Sequence, residues 1–387
     1  MINRRATLLL SAGHLFTDIN QGAVPALLPF FVAEYALSYQ QVAGLVFAGT
    51  IASSVVQPLF GRYADRSSAA WLMPVGIAAA GVGLALTGVF SSYWPMAAGL
   101  MLSGLGVAAF HPEAARSMNA AAGLRKATGM SVFSIGGTAG FALGPLAATG
   151  LMLAFGVRGA VWMALPAAAY AAVLLTQLPA LPRLRHSHRP AAGAEPGAAA
   201  SPDAWGPFGV LAAAITLRSV LFFGFNTFLP LYWIDVLGQS AAAGGAILSL
   251  WLGSGVIGSL VGGRLSDRYG ARRVGLISTL LIAPLVPVFV VLRHPLPAGL
   301  LIVLMSILMT LPSSGLIVLG QDMVPNHVGV ASGVTIGLSV SVGGASAPLL
   351  GWMADNFGIP TALSGLTAVP LVIAALLVIL SRMRSTP

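Results

Sequence analysis

The chain contains no cysteine. Disulfides, thiolate nucleophiles and Cys-ligated metals are therefore excluded. Charge is almost as scarce: Asp and Glu together number 10, and charged residues make up 7% of the 387. A soluble domain carries about 25%, so this chain cannot cover a water-facing surface. Common enzyme chemistry is missing too. No glycine-rich loop ends in a phosphate-binding lysine, no HExxH occurs, and there is no nucleophile elbow or pair of catalytic carboxylates. No enzyme activity and no cofactor are expected. Any uphill work must draw on an ion gradient rather than on nucleotide hydrolysis.

What fills the chain is long apolar runs; hydrophobic residues account for 57% and mean hydropathy is +0.89. The length accommodates roughly twelve spans of about 20 residues. Backbone groups in lipid are satisfied only by helices or closed barrels, and runs this long and unbroken are helices. The 47 glycines suit close packing of such helices. The first run contains Asp18 and is too long for a cleaved signal peptide. With the N-terminus inside, 16 of the 19 Lys and Arg fall on the inner side, Arg158 and Arg293 outside, and Arg218 within a span. That asymmetry predicts an even span number and cytoplasmic termini, in a bacterial-type cytoplasmic membrane. It also accounts for the net charge of +9 without a nucleic-acid partner.

Three segments recur in order. "GRYADR" at 61–66 returns as "GRLSDR" at 263–268, "FSIGG" at 133–137 as "VSVGG" at 340–344, and "LPFFVAEY" as "LPLYWIDV", at offsets of 202, 207 and 201. A six-helix unit has been duplicated. The expected organisation is a bundle over 1–181, a linker over 182–206 rich in Pro, Ala, Gly and basic residues, and a second bundle over 207–387. The recurring Gly61, Arg62, Asp65 and Arg66, with Gly263, Arg264, Asp267 and Arg268, are expected in a short cytoplasmic turn. There the glycines let helix ends approach, and the charged groups hold and release a gate.

Polar groups inside apolar helices are costly and therefore informative. "HLFTDINQG" sets His14, Asp18 and Gln21 on one face of the first helix. A carboxylate beside a histidine can take up and release a proton. His111, Glu113 and Arg116 gather near the inner end of the fourth helix, where Pro112 is expected to break it. Arg218 lies deep in the seventh helix with Asn226 two turns beyond. Its guanidinium suits an anion, and Asp18 is the expected alternative partner. Proton coupling is thus placed on Asp18, His14 and Glu113, and substrate binding on Arg218, Gln21, Asn226, His111 and Arg116. No metal is assigned, although a divalent cation held by His14, Asp18, His111 and Glu113 is an alternative.

"GRYADRSS" and "GRLSDRYGARR" resemble the loop signature of the major facilitator superfamily. "GFALGP", with Gly140, Gly144 and Pro145, is similar to the antiporter signature of drug exporters in that superfamily. "GHLFTDINQG", "GLGVAAFHPEAARSMNAAAG" and "LGQDMVPNHVGVASGV" resemble its fosmidomycin-resistance branch. The resemblance implies an all-α fold of twelve transmembrane helices in two pseudo-symmetric six-helix bundles. It also implies a monomeric drug or metabolite exporter, conferring antibiotic resistance, that exchanges a small molecule for protons by alternating access. A uniporter or importer of the same fold remains the alternative.

Overall fold

The computed structural model describes residues 3–66, 69–123, 125–181 and 202–383. Residues 182–201, most of the expected linker, lie outside the described residues, as do the side chains of Asp65 and Arg66. All described regular structure is helical. The first half contains α1 (Arg4–Tyr35), α2 (Tyr39–Arg66), α3 (Leu72–Ala85), α4 (Tyr93–Ala122), α5 (Lys126–Phe155) and α6 (Ala164–Gln177). The second contains α7 (Trp205–Leu231), α8 (Ala241–Tyr269) and α9 (Ala271–Val291), then three interrupted spans. These are α10 (Pro295–Thr310) with α11 (Ser313–Met323), α12 (Val328–Ser332) with α13 (Ser339–Phe357), and α14 (Ile359–Ser364) with α15 (Ala368–Arg382).

Nine described stretches are long and apolar enough to cross a membrane, and one of them, Thr128–Gln177, is long enough for two spans. The short apolar helix Leu72–Gly88 adds another. The last is α1, whose 32 residues are diluted by its polar centre. Together they make the twelve spans of the repeat. Local chemistry fixes the ends. Asn3 caps α1 by accepting from the Ala6 amide at 3.1 Å, and Ser240 caps α8 through Ala243 at 3.2 Å. Gly270 and Gly358 follow α8 and α13 with φ of 86° and 84°, a backbone state that halts a helix and suits glycine.

The helices run further than expected. Gly61 and Arg62 lie in the last turns of α2, and Gly263, Arg264, Asp267 and Arg268 in the last turns of α8, rather than in a turn. The charged residues sit where a helix leaves lipid, so nothing forces it to unwind. Neither glycine is needed for close approach: a Cβ would lie 3.8 Å from Pro112 at Gly61 and 4.0 Å from Ser314 at Gly263. The neighbouring Gly262 is the tight one, its missing side chain taken up by the Leu311 backbone. Likewise α4 continues through Pro112 to Ala122 without a break.

Packing gives the halves a V shape. At the end opposite the chain termini, one core joins both halves, with Leu27, Phe31, Val42 and Leu45 against Leu229, Tyr232, Trp233 and Ile359. At the termini end the cores separate. Ala6, Leu10, Met118 and Leu174 belong to one, Leu211, Leu316, Leu377 and Leu380 to the other. The seam follows the same trend. Gly245 of α8 meets Thr149 of α5, and Gly344 of α13 meets Thr50 of α2. Toward the termini end, Leu59 and Tyr63 of α2, Ile135 of α5 and Leu260 of α8 are exposed.

Candidate functional site

Two polar sites lie near the middle of the bundle. The first belongs wholly to the first half. α1 and α4 carry Asp18 and His111, 93 positions apart in sequence, to within one hydrogen bond of each other. His14 Nε2 is 3.1 Å from Asp18 Oδ2, His111 Nε2 is 3.3 Å from Asp18 Oδ1, and the two Nε2 atoms are 3.1 Å apart. Each ring is anchored from behind. His14 Nδ1 donates to the Phe133 carbonyl and His111 Nδ1 to the Val107 carbonyl, both at 2.8 Å. Phe133 stacks on His14 with centroids 4.1 Å apart, and Phe110 flanks both imidazoles.

This arrangement counts protons. A carbonyl only accepts, so each Nδ1 must carry the hydrogen. In neutral rings both Nε2 atoms are then bare acceptors, facing each other and a carboxylate. Three acceptors cannot bond to one another without an added proton or cation. The same three groups are the only cluster of His, Asp and Glu among the described residues close enough to share a metal ion. His111 is the most exposed of the three: its side chain is 21% exposed, against 12% for His14 and 5% for Asp18.

α5 seals the group from the other side. A methyl at Gly137 would collide with the His14 ring and approach Asp18 Oδ2 to 2.8 Å. Gly136, Gly140 and Gly144 lie one turn apart along α5, against the carbonyls of Ser11, Leu15 and Ile19 on α1. Gly22 of α1 returns the contact against Phe141. Two backbones thus touch along about three turns of α1, and Gly140 and Gly144 of "GFALGP" lie in that seam. Gly137 was not among the residues expected here, although the repeated GG of "FSIGG" and "VSVGG" marks it.

The second site is a cavity of about 370 Å³ between the halves. Gln21, Thr50 and Phe141 line it from the first half, and Arg218, Phe222, Phe223, Asn226 and Thr310 from the second. Arg218 is buried and donates through Nη2 to the Met309 carbonyl. The expected pairing with Asp18 is not found: Asp18 turns to the histidines of its own half, and Arg218 to the backbone of the other. His111, Glu113 and Arg116 do not line the cavity either. Glu113 is fully buried and accepts from Arg116 at 3.0 Å, within α4. Gln21 is the polar α1 residue that reaches the cavity, one turn beyond Asp18, beside Val24 and Pro25 of the same helix.

At the closed end, Asp355 of α13 accepts from the Tyr39 and Gln40 amides at 2.7 and 2.9 Å. A carboxylate of one half thus caps the first turn of a helix in the other. Tyr39 adds a hydroxyl bond of 3.0 Å to Asp235. No motif announced this contact.

A V of two six-helix halves around a central cavity, with ionisable groups buried beside it, defines a membrane transporter rather than an enzyme. The chain belongs to the Major Facilitator Superfamily, whose sequence profile matches residues 10–348. It is 28% identical over 370 residues to the uncharacterized MFS-type transporter YfnC of Bacillus subtilis, covering 94% of this chain and 90% of that one. It is 27% identical over 359 residues to the fosmidomycin resistance protein of Escherichia coli, covering 90% and 86%. In fold it is similar to an inward-facing bacterial homolog of the human lysosomal transporter Spinster, with a TM-score of 0.84 at 14% identity over 98% of this chain and 97% of that one. The nucleoside transporter NupG follows the same fold, with a TM-score of 0.71 at 17% identity over 98% and 100%.

Proposed function

We propose that this protein is a proton-coupled exporter of a small polar or anionic molecule, working as an antiporter by alternating access. The observation that carries the reading is the His14–Asp18–His111 cluster, three acceptors at 3.1–3.3 Å that cohere when a proton is shared among them. Asp18 is the charge carrier, His14 and His111 share its proton, and the Glu113–Arg116 pair stands behind them on α4. Substrate occupies the central cavity, against Arg218, Gln21 and Asn226. Because proton and substrate sit apart, they do not compete for one carboxylate. They communicate through α1 and α5, each of which touches both sites.

The halves 1–181 and 207–387 rock about the cavity as a monomer, joined by the 182–206 linker in the cytoplasm. The charged helix ends at 61–66 and 263–268 act as the inner gate. With cytoplasmic termini in a bacterial inner membrane, the open end of the V faces inward, where an exporter loads. Likeness to a fosmidomycin resistance protein supports drug efflux and antibiotic resistance as the physiological setting. A divalent-cation exporter is the second reading, favoured by the convergence of two imidazoles and a carboxylate.

Purified protein in liposomes carrying an internal pH dye tests both. An imposed pH gradient should drive substrate flux, and substrate addition should move protons. Proton movement evoked by zinc or cobalt alone would favour the second reading. Substrate flux indifferent to the pH gradient would defeat the first.

A further inference from the structure

The cavity specifies more than an anion. Arg218 is the only charged residue that lines it among the described residues. One of its five N–H groups is committed to Met309, and among the described residues no carboxylate forms an ion pair with it. The remaining N–H groups form a fork that suits one carboxylate. The hydroxyls around it are largely spent on their own helices: Thr50 donates to Val46, Thr335 to Ala331, and Ser313 to Met309. A dianion would therefore leave one charge unpaired in an apolar wall.

Asn226 is the second feature. It lies on the same helix face as Arg218, and its buried side-chain carbonyl has no hydrogen-bond partner. At 1.5 Å rise per residue it stands about 12 Å along α7. Between the two lies Phe222, with its ring edge-on to Phe223 at 5.5 Å and stacked on Trp251 at 6.0 Å. Phe141 faces them across the cavity. Anion, aromatic surface and unpaired acceptor thus follow in line.

We infer that the cavity takes an elongated monoanion with a carboxylate at Arg218, an aromatic body over Phe222 and Phe141, and an O–H or N–H donor at Asn226. This deepens the exporter reading above and rests on it. A hydroxyaryl alkanoate one phenylpropanoid unit long matches the spacing. A compact phosphonate fills neither the aromatic surface nor the far acceptor.

Calorimetric titration of the protein in lipid nanodiscs tests this with 3-(4-hydroxyphenyl)propionate, its 3-phenyl analogue, tyramine and methylphosphonate. Wild type should bind the hydroxy acid more tightly than the other three. Loss of the phenol should cost about 5-fold, the scale of one hydrogen bond to a buried acceptor. Arg218→Gln should weaken the acid by about 10- to 100-fold, while Arg218→Lys retains part of the affinity. Asn226→Ala should reduce the hydroxy acid to the level of the phenyl analogue. Comparison of the four probes on wild type needs no variant to fold. Tyramine or methylphosphonate binding as tightly as the acid would overturn the inference, as would an unchanged affinity in Arg218→Gln. Proteoliposomes separate this failure from that of the exporter reading. Selective binding of the acid without proton movement defeats exchange and leaves the cavity assignment standing. Proton movement evoked by methylphosphonate and not by the acid does the reverse.

Discussion

Shifting the numbering by 201 lays Asp18 of α1 over Ser219 of α7, immediately beside Arg218. The first half buries an acid with two imidazoles; its duplicate buries a guanidinium with none. The glycine seams differ in the same way. Gly136 of α5 meets the backbone of α1, and its repeat Gly343 of α13 meets the side chain and backbone of Ser219 on α7. Gly137 closes over a titratable group, whereas its repeat Gly344 packs on Thr50 of the opposite half. One scaffold therefore buries an acid with two imidazoles on one arm and a lone guanidinium on the other. The repeated helices occupy matching places, and the polar residues they bury there differ.

The sharpest way to break this comparison is Asp18→Asn. It removes the charge that makes the first half differ from the second. Gradient-driven transport in liposomes should fall to the level of protein-free vesicles, while calorimetric binding at Arg218 persists. Full coupling in this variant would show that the acid of the first half is not the carrier.

Next in size is the α1–α5 seam. Gly140→Ala sets a methyl against the Leu15 carbonyl and 2.9 Å from the Ile19 amide. Overpacking of that kind costs about 1–3 kcal/mol. Gly61→Ala and Gly263→Ala, with only ordinary van der Waals contact at both helical positions, should cost nothing and gain up to about 1 kcal/mol. Thermal unfolding in detergent ranks the three, and a Gly61 variant as damaged as the Gly140 one would return the repeat glycines to a packing role.

Asp355→Ala tests the seal between the arms. Losing a helix cap costs about 1 kcal/mol, which moves a two-state equilibrium roughly 5-fold. Because the chain has no cysteine, a single Leu237→Cys placed in the closed core reports opening by its alkylation rate. The rate should rise when Asp355 is also replaced, and an unchanged rate would relegate the contact to decoration.

The smallest effect concerns Asp203, before α7. Partial burial alone would push its carboxyl up. The Asn326 amide and His327, which contacts it at 2.6 Å, outweigh that and hold it below the ordinary 3.8. A depressed folded value means the contact stabilises above about pH 3.8 and is lost as pH falls through the folded value. Wild type and Asp203→Asn should differ slightly in thermal midpoint near neutrality and converge in stronger acid. A gap that widens on acidification would reverse the sign.

The spans, the repeat and the polar centre of α1 were legible because each leaves a local trace: a run, an offset, a motif. What was not legible depends on distant partners. His111 reads as one of a cluster with Glu113 and Arg116 until α4 turns it toward Asp18 and leaves the others behind. Pairing of Asp18 with Arg218 looked natural because opposite charges in lipid seek each other. It fails because two imidazoles of the same half are nearer. Asp355 carried no signal, since a cap across two halves has no characteristic spacing in sequence.

That cap has a consequence for how the far end opens. While closed, one carboxylate satisfies two backbone amides at the exposed rim of the apolar core that joins the halves. Once the halves part, Asp355 and the Tyr39 and Gln40 amides have no other protein partner at hand, and water must take each place. Opening is thus a wetting event, with several solvent molecules bound for every seal broken. Its equilibrium should respond to osmotic pressure, shifting toward the closed state with its buried apolar core as an excluded solute lowers the activity of water.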